Sequence, residues 1–283
     1  MQPRPSERST GSALPPLRLS WSGMTDIGRF RSNNEDAFLA LAFDSNHVHR
    51  LGRSGRSTLE ETDFVFAVSD GMGGARSGEF ASRITVDQVT RLLPLGFRRT
   101  AGGSMQGYAG ILAEIVAAIH RDLLTMGRSY QECAGMGATL SLGWFTPGWM
   151  YFSHIGDSRI YRLPKGGGLE QLTHDHSHPG WLRRTGQINE REARSHPRRN
   201  ALQQVLGAGH QFAEPQLGES RCLPGDRFLL CTDGLVDGLW DRRLEELLLS
   251  RPETEKLADE MVLEAVQASG RDNATAVVIE VAD

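Results

Sequence analysis

The sequence has few cysteines and no long apolar run. Its 283 residues include three cysteines, Cys133, Cys222 and Cys231, and no two of them have Cys-x-x-Cys spacing. A small, odd number of cysteines argues against a disulfide framework, and the spacing argues against a zinc ribbon. Unpaired cysteines fit a reducing compartment, so we expect a cytoplasmic protein. No apolar run reaches the roughly 18 residues that a membrane span needs, so none is expected.

The chain also carries little net charge. Lysine and arginine number 31 against 35 acidic residues, which leaves −4, so charge gives no reason to expect a nucleic-acid partner. Hydrophobic residues make up 39% and charged residues 23%, the balance of a globular protein. Residues 1–16 are rich in Pro, Arg and Ser and lack the apolar core of a signal peptide. We therefore expect a disordered lead-in at 1–16, then one domain over 17–283, and a monomer.

Hydrophobic patterns predict strands and helices in alternating blocks. Strands are predicted at 17–24, 36–43, 64–68, 137–145, 149–155, 158–163, 211–217, 227–232 and 274–281. Two helices are predicted from apolar residues with helical spacing, the first containing Val86, Val89 and Leu93 and the second Leu112, Ile115, Ile119 and Leu123. Two more helices are predicted at 241–249 and 253–268. Residues 44–62 read as a surface loop, with disorder as the alternative, and residues 174–200 as a mobile segment with short helices. Hairpin-spaced strands favour antiparallel sheets, and paired helices favour helical layers outside them.

Acidic residues recur at the boundaries of the predicted strands. They occur in Glu35-Asp36, Asp70-Gly71, Gly156-Asp157, Asp233-Gly234 and Asp272-Asn273. Carboxylates that converge on one rim repel each other, and their pKa values rise. Mg²⁺ or Mn²⁺ would relieve this repulsion by binding carboxylate, carbonyl and water oxygens, and a glycine lets a backbone carbonyl approach an ion. A single Asp-Gly is more often a turn, so it is the whole set that predicts a metal centre.

Short motifs follow one another in order from about residue 20 to residue 280. They are Thr25-Asp26-Ile27-Gly28, Arg31-Ser32-Asn33-Asn34-Glu35-Asp36, Asp70-Gly71-Met72-Gly73-Gly74, Gly135-Met136-Gly137-Ala138-Thr139-Leu140, Gly156-Asp157-Ser158-Arg159, Thr173-His174-Asp175-His176-Ser177, His196-Pro197-Arg198-Arg199-Asn200, Leu206-Gly207, Cys231-Thr232-Asp233-Gly234-Leu235 and Asp272-Asn273-Ala274-Thr275. This order resembles the bacterial form of the metal-dependent serine/threonine protein phosphatases of type 2C, the PPM family. The resemblance implies an α+β fold, a four-layer αββα sandwich whose two antiparallel sheets are covered by helices on both faces.

The resemblance also implies a metal site. Two Mn²⁺ or Mg²⁺ ions, and a third weaker one, would be held by Asp36, Asp70, Gly71, Asp157, Asp233 and Asp272. Asp70 would bridge the two core ions, with the Gly71 carbonyl on one of them. Asp233 and Asp272 would hold the other core ion, and Asp157 with Asp233 would hold the third. Glu35 and Asp36 would act largely through metal-bound water.

The implied reaction is hydrolysis of phosphoserine or phosphothreonine in proteins by in-line attack of a water held between two metal ions. Arg31 and Asp70 would be catalytic, and Arg31 would bind the substrate phosphate. The implied partners are phosphorylated proteins, among them a Ser/Thr kinase or its targets. Met72 stands where many eukaryotic relatives have a histidine proposed as general acid, and methionine cannot donate a proton. The identity of the general acid is therefore left open.

Two other functions could use the same residues. A phosphatase-like module that senses metal or binds phosphoproteins without catalysis would be marked by lost ligands, and none is lost here. A nucleotide phosphodiesterase fits the metal chemistry, but no aromatic stacking pair or nucleotide loop stands near the motifs.

Some individual residues also have a second interpretation. Arg31 taken alone would form a salt bridge with Glu35 or Asp36. His174, His176 and His178 alternate and could form a metal site, although such histidines in a loop are usually solvated. The arginines of 174–200 could attract phosphopeptides, or could pair locally with Glu190 and Glu192.

Overall fold

The computed structural model describes residues 17–60, 62–101, 107–250 and 254–283. The predicted lead-in, residues 1–16, lies outside the described residues. In chain order the strands are β1 (Arg18–Asp26), β2 (Asp36–Phe43), β3 (Val48–Arg50), β4 (Ser54–Thr58), β5 (Asp63–Met72), β6 (Gly137–Ala138), β7 (Leu140–Thr146), β8 (Trp149–Ile155), β9 (Arg159–Leu163), β10 (Glu170–Gln171), β11 (Leu206–Gly207), β12 (Gln216–Arg221), β13 (Arg227–Cys231) and β14 (Ala274–Ala282). The helices are α1 (Ala75–Ala101), α2 (Tyr108–Ser129), α3 (His178–Arg184), α4 (Glu190–Arg194), α5 (Asp233–Gly238), α6 (Asp241–Ser250) and α7 (Leu257–Ala268).

The strands form two antiparallel sheets, as predicted. The first sheet has the order β10-β9-β13-β14-β1-β4. The second has the order β11-β6-β5-β7-β8-β12, with β2 paired to β5 and β3 paired to β2. Alternate side chains of a strand point to opposite faces, so a strand covered on both sides must be apolar throughout. Phe64 to Val68 of β5 are all buried for this reason.

Three apolar cores hold four layers together. Between the sheets lie aromatic side chains such as Trp21, Phe66 and Phe228. The outer face of the second sheet is covered by α1 and α2, whose predicted residues Val89 and Ile119 are fully buried there. The outer face of the first sheet is covered by α5, α6 and α7. The predicted αββα sandwich is confirmed.

Two local predictions were wrong. The predicted loop at 44–62 contains two strands: β3 adds to β2, and β4 adds to β1. Both strands are mostly exposed and polar, so they show no hydrophobic alternation. The strand predicted at 211–217 lies at Gln216–Arg221, and Phe212 before it is 65% exposed. Asp233-Gly234 begins α5, a helix that the sequence did not predict.

Candidate active site

Strand register brings the acidic residues to one end of the sandwich. Asp36 at the start of β2 pairs directly with Asp70 of β5. Arg159 pairs with Cys231, so Asp157 and Asp233, two residues beyond them, lie side by side. The resulting pocket is lined by Arg31, Ser32, Asn33, Glu35, Asp70, Gly71, Met72, Gly73, Gly74, Thr139, Asp157, Asn200, Leu202, Asp233 and Asp272. The structure thus brings together the predicted site residues, with buried Asp36 opposite Asp70.

Two glycines allow backbone segments to approach closely at this pocket. A Cβ at Gly71 would lie 1.8 Å from the carbonyl oxygen of Gly78 in α1. A Cβ at Gly234 would lie 1.9 Å from the carbonyl oxygen of Asn273. Since real Cβ atoms cannot come so near, only glycine lets these segments pack together. The second contact is what brings Asp233 beside Asp272.

Asp36 is a buried carboxyl group that is only half satisfied. Its Oδ2 accepts hydrogen bonds from the hydroxyls of Thr232 (2.7 Å) and Thr275 (2.6 Å). Its Oδ1 has no hydrogen-bond partner among the described residues. Burial raises the pKa of Asp36 to about 7, with smaller contributions from the nearby charges of Asp272 and Glu35. A cation placed at Oδ1 would satisfy this atom and favour the ionised form.

Asp70 lies at the centre of the acidic cluster. Its backbone N–H donates to Thr139 Oγ1 at 2.9 Å, and its carbonyl accepts from the Thr139 N–H at 2.8 Å. Burial raises the pKa of Asp70 well above its usual value, and the nearby carboxylates Asp36, Asp233 and Asp157 raise it further. Thr139 therefore fixes the position of a carboxyl group that is unstable as an anion without a counter-charge.

The pKa values of the other two cluster members rise in the same direction. Burial raises the pKa of Asp157 to about 7, with Asp175 adding to the effect. Burial and the neighbouring Asp157 raise the pKa of Asp233 well above its ordinary value. Several carboxyl groups with raised pKa values in one cleft are typical of a functional site.

Arg31 pairs with a different acid from those considered in the sequence. Its Nη2 lies 2.5 Å from Asp272 Oδ2, so the partner is neither Glu35 nor Asp36. The side chain of Arg31 is 47% exposed and that of Asp272 29% exposed. The guanidinium therefore faces both the pocket and solvent.

Asn273 holds the loop that carries Arg31 and Glu35. Its Nδ2 donates to the carbonyls of Ile27 (2.9 Å) and Asn33 (3.0 Å), and its Oδ1 accepts from the Glu35 N–H at 2.8 Å. Sequence reasoning gave no role to Asn273, Thr275 or Thr139. Each of these residues is polar and lies in or beside a strongly apolar strand, and this contrast was the feature of the sequence that could have pointed to a role.

The donor atoms of the pocket can be compared with the needs of a divalent cation. Among the described residues no three His, Cys, Asp or Glu side chains stand as a group able to hold a metal. Arg31 engages Oδ2 of Asp272, and the two threonine hydroxyls engage Oδ2 of Asp36, which leaves Oδ1 of Asp36 for a cation. The donors are otherwise suitable, because an all-oxygen set with an unpartnered buried Oδ1 fits a hard divalent ion. The alternating histidines likewise form no metal group within the described part of the chain; His176 instead accepts from the Gly156 N–H at 3.2 Å.

The segment 174–200 contains the predicted short helices, α3 and α4, and ion pairs attach it to the core. Arg159 of β9 binds Asp175 through two hydrogen bonds of 2.8 and 2.7 Å, and both side chains are nearly buried. Arg183 of α3 pairs with Asp241 of α6. The predicted local pairing is seen for Arg194, which lies 2.8 Å from Glu190, whereas Glu192 caps the N-terminus of α4. The mobility of the segment stays a prediction.

Comparison with known proteins shows which family has this fold and pocket. The family model of protein phosphatase 2C matches residues 54–271. The chain belongs to this protein phosphatase 2C family. None of the described helices has the length and apolar character required to cross a membrane.

Relatives and solved structures agree with this membership. The chain is 33% identical over 270 residues to the serine/threonine protein phosphatase PstP of Mycobacterium tuberculosis, which covers 94% of the chain but 46% of PstP. It is 30% identical over 257 residues to the serine/threonine phosphatase stp of Listeria monocytogenes, covering 90% of the chain and 93% of stp. The PstP catalytic domain in complex with two manganese ions aligns with a TM-score of 0.73 and 28% identity over 94% of this chain and all of that one. The chain thus spans under half of full-length PstP.

Proposed function

We propose that this protein hydrolyses phosphoserine and phosphothreonine in proteins and depends on divalent metal ions. The observation that carries the proposal is the pocket that joins Arg31 to the carboxylates of Asp70, Asp157, Asp233 and Asp272. A guanidinium beside a cluster of oxygen donors matches the needs of phosphoryl transfer, which are an anion clamp and a cation site. Membership of the protein phosphatase 2C family supports the same reaction.

Oxygen donors around the pocket would hold Mn²⁺ or Mg²⁺. We assign the two core ions to Asp70, the Gly71 carbonyl, Asp233 and Asp272, with Asp36 and Glu35 contributing largely through water. Asp157 with Asp233 would hold a third, weaker ion. When bound, such ions lower the pKa of water and neutralise negative charge on phosphate. The manganese bound to the PstP catalytic domain supports this assignment.

Arg31 would orient the substrate. Its guanidinium can bind two phosphate oxygens at once, which fixes the phosphoryl group for attack along the line of the breaking bond. In the described structure this group is held by Asp272. Substrate binding would therefore exchange one anionic partner for another, while Asn273 keeps the loop in place.

The proton on the leaving oxygen must come from a group other than Met72, because a thioether carries no acidic proton. The carboxyl groups with pKa values near 7, Asp36 and Asp157, belong to the set that would hold metal. Water at the pocket mouth is then the remaining donor within the proposed site.

The physiological partners follow from the same proposal. Phosphorylated proteins are the substrate class, and a Ser/Thr kinase or its targets would be the partners, in the cytoplasm and with this chain as a monomer. The three buried free cysteines, Cys133, Cys222 and Cys231, support a reducing compartment. A non-catalytic role is less well supported, because each predicted ligand is retained.

The proposed function is tested by measuring the release of inorganic phosphate. A phosphothreonine peptide and a phosphodiester of similar size would be incubated with Mn²⁺, with and without chelator. We expect Mn²⁺-dependent release from the peptide and little from the diester. Release that persists in chelator, release from the diester alone, or no release with any divalent metal would each refute the proposal.

A further inference from the structure

A basic groove beside the catalytic pocket is not used by the proposed reaction. We call it the arginine groove; it is lined by Arg191, Arg194, Ser195, His196, Arg199, Asp237, Trp240, Ser269 and Arg271. Its lining residues include four arginines and one acidic residue, Asp237. Such an excess of one charge in a concave surface attracts ligands of the opposite charge.

Two of the four arginines build the groove. Arg194 lies 2.8 Å from Glu190 and donates to the carbonyl of Leu239 at 2.6 Å, and its guanidinium lies 4.1 Å from the centre of the Trp240 ring. Arg199 lies 3.8 Å from Asp237 and donates to the Arg194 carbonyl at 3.1 Å. These contacts attach α4 to the end of α5 and fix the groove floor.

The other two arginines leave their charge available. Arg191 and Arg271 are exposed, and neither forms an ion pair within the described ranges of the chain. Both line the groove, Arg191 from α4 and Arg271 from the loop after α7. An anionic side chain entering the groove could therefore meet both guanidinium groups.

The groove adjoins the proposed phosphate site. Arg29 donates its backbone N–H to Gly270 and its Nη2 to the carbonyl of Ser269, each at 2.8 Å. The loop that carries Arg31 therefore rests on the rim of the groove, next to Asp272, with which Arg31 pairs. An extended peptide advances about 3.3 Å per residue, so a few residues connect the two places.

We propose that the arginine groove binds an acidic side chain, aspartate or glutamate, of the phosphopeptide whose phosphoresidue is held at Arg31. The acidic residue would lie within about four positions of the phosphoresidue. This inference rests on the proposed function and adds a substrate preference to it. Arg191 and Arg271 supply the recognition, and Trp240 supplies an apolar floor.

Matched peptides test the preference. One phosphothreonine peptide would have alanine at all flanking positions, and two others would have aspartates at positions −4 to −2 or +2 to +4. We expect one aspartate peptide to exceed the alanine peptide in kcat/KM by about 10-fold at low salt, since two exposed ion pairs are involved. Added salt should reduce this ratio.

Substitutions of the two exposed arginines test whether the preference for aspartate peptides depends on the groove. Arg191→Gln and Arg271→Gln should each lower the ratio to about 3, and the double variant to about 1, since exposed pairs contribute separately. Arg242→Gln is the matched control, because Arg242 lies on α6 with a side chain 90% exposed and belongs to no part of the groove. Its ratio should stay at about 10.

Binding is measured as well, by fluorescence anisotropy of the same peptides in chelator, so that a failure of catalysis can be separated from a failure of recognition. No phosphate release with retained preference in binding would refute the proposed function but support the groove. Phosphate release without any aspartate preference, or a preference unchanged in the double variant, would overturn the inference. Groove-dependent binding to phosphatidylserine vesicles without peptide preference would assign the groove to a membrane surface instead.

Discussion

At the residue scale, the site consists of carboxyl groups that the fold holds in an unfavourable state. Asp36 opposes Asp70 across a strand pair, and Asp157 adjoins Asp233. Burial and like charge raise the pKa of each, so folding places acids where their ionised form is disfavoured. Such an arrangement is stable only with protons or cations, and this is the physical reason for the proposed metal dependence.

Asp70→Asn separates the metal role of this residue from its role in folding. We expect phosphopeptide turnover with Mn²⁺ to fall by at least about 10³-fold, because a proposed ligand of the metal ions is lost. The metal-free protein should melt at a higher temperature than the wild type, because one repelling carboxyl group is gone. Mn²⁺ should then raise the melting temperature less than in the wild type.

The control for this variant is Asp87→Asn on the exposed face of α1, where Asp87 pairs with Arg50. It should leave turnover and the effect of Mn²⁺ unchanged. Full turnover by the Asp70 variant would show that Asp70 is no metal ligand.

Thr275→Val tests the hydroxyls that hold Asp36. Valine keeps the shape but removes the donor to Oδ2, which should lower the free energy of unfolding at pH 7 by about 1–3 kcal/mol. Mn²⁺ affinity should also fall, because the ionised carboxylate loses support. Chemical denaturation and calorimetric titration measure the two effects.

Thr146→Val is the matched control, a buried threonine of β7 whose hydroxyl makes a 3.4 Å contact with the Trp149 carbonyl. Equal losses of metal affinity in the two variants would argue against a specific role for Thr275.

At the element scale, register and glycine packing decide what meets at the site. The sequence predicted most strands from their apolar runs, because a strand buried on both faces leaves a strong signal. It missed β3 and β4, since polar edge strands are stabilised by ladder hydrogen bonds that composition does not reveal. The sequence also did not predict α5, because Asp-Gly is locally compatible with a turn. The close contact between Gly234 and Asn273 joins residues far apart in the chain, so no local pattern indicates it.

The buried pair between Arg159 and Asp175 should anchor the segment 174–200. Arg159→Gln removes the ion-pair partner of the nearly buried Asp175 carboxylate and leaves it the hydrogen bond from Gln171, so it should cost about 3–5 kcal/mol of folding free energy. Faster proteolytic cleavage between residues 178 and 200 should accompany this loss, because β9 no longer holds the segment. Limited proteolysis and denaturation are the measurements.

Arg242→Gln on α6 serves as its control, because that arginine pairs with Glu246 in solvent and should contribute less than about 0.5 kcal/mol. A similar small effect of Arg159→Gln would mean that other contacts hold the segment.

At the scale of the whole molecule, stability and metal binding are linked through pH. The pKa values of Asp36 and Asp157 are raised to about 7 in the fold, above an unfolded value near 3.9. The stability due to their protonated forms is therefore complete below about pH 4 and is lost as the pH rises through 7. Burial lowers the pKa of His154 to about 3 and of His176 to about 4, so their contribution is lost as the pH falls below about 6.5.

These opposite dependences nearly cancel between about pH 4 and 6.5, and only the loss due to the carboxyl groups continues above that range. In chelator the melting temperature should therefore change little between about pH 4 and 6.5 and should fall towards pH 8. Mn²⁺ should raise the melting temperature more at pH 8 than at pH 5, because it binds the ionised carboxylates. Thermal melts from pH 4 to 9 test both statements. A Mn²⁺ effect that does not grow with pH would contradict the linkage.

The sequence by itself determined which elements form the layers, which acidic residues belong to the site and the class of chemistry that they predict. Apolar runs and helical spacing are local properties, and the ordered motifs connected Asp70, Asp233 and Asp272 to one family. Tertiary structure decided which groups touch. It paired Arg31 with Asp272, gave Asp36 its threonine donors and brought Arg191 and Arg271 to one groove. Such contacts join residues far apart in the chain and depend on register and close backbone packing, so no local pattern encodes them.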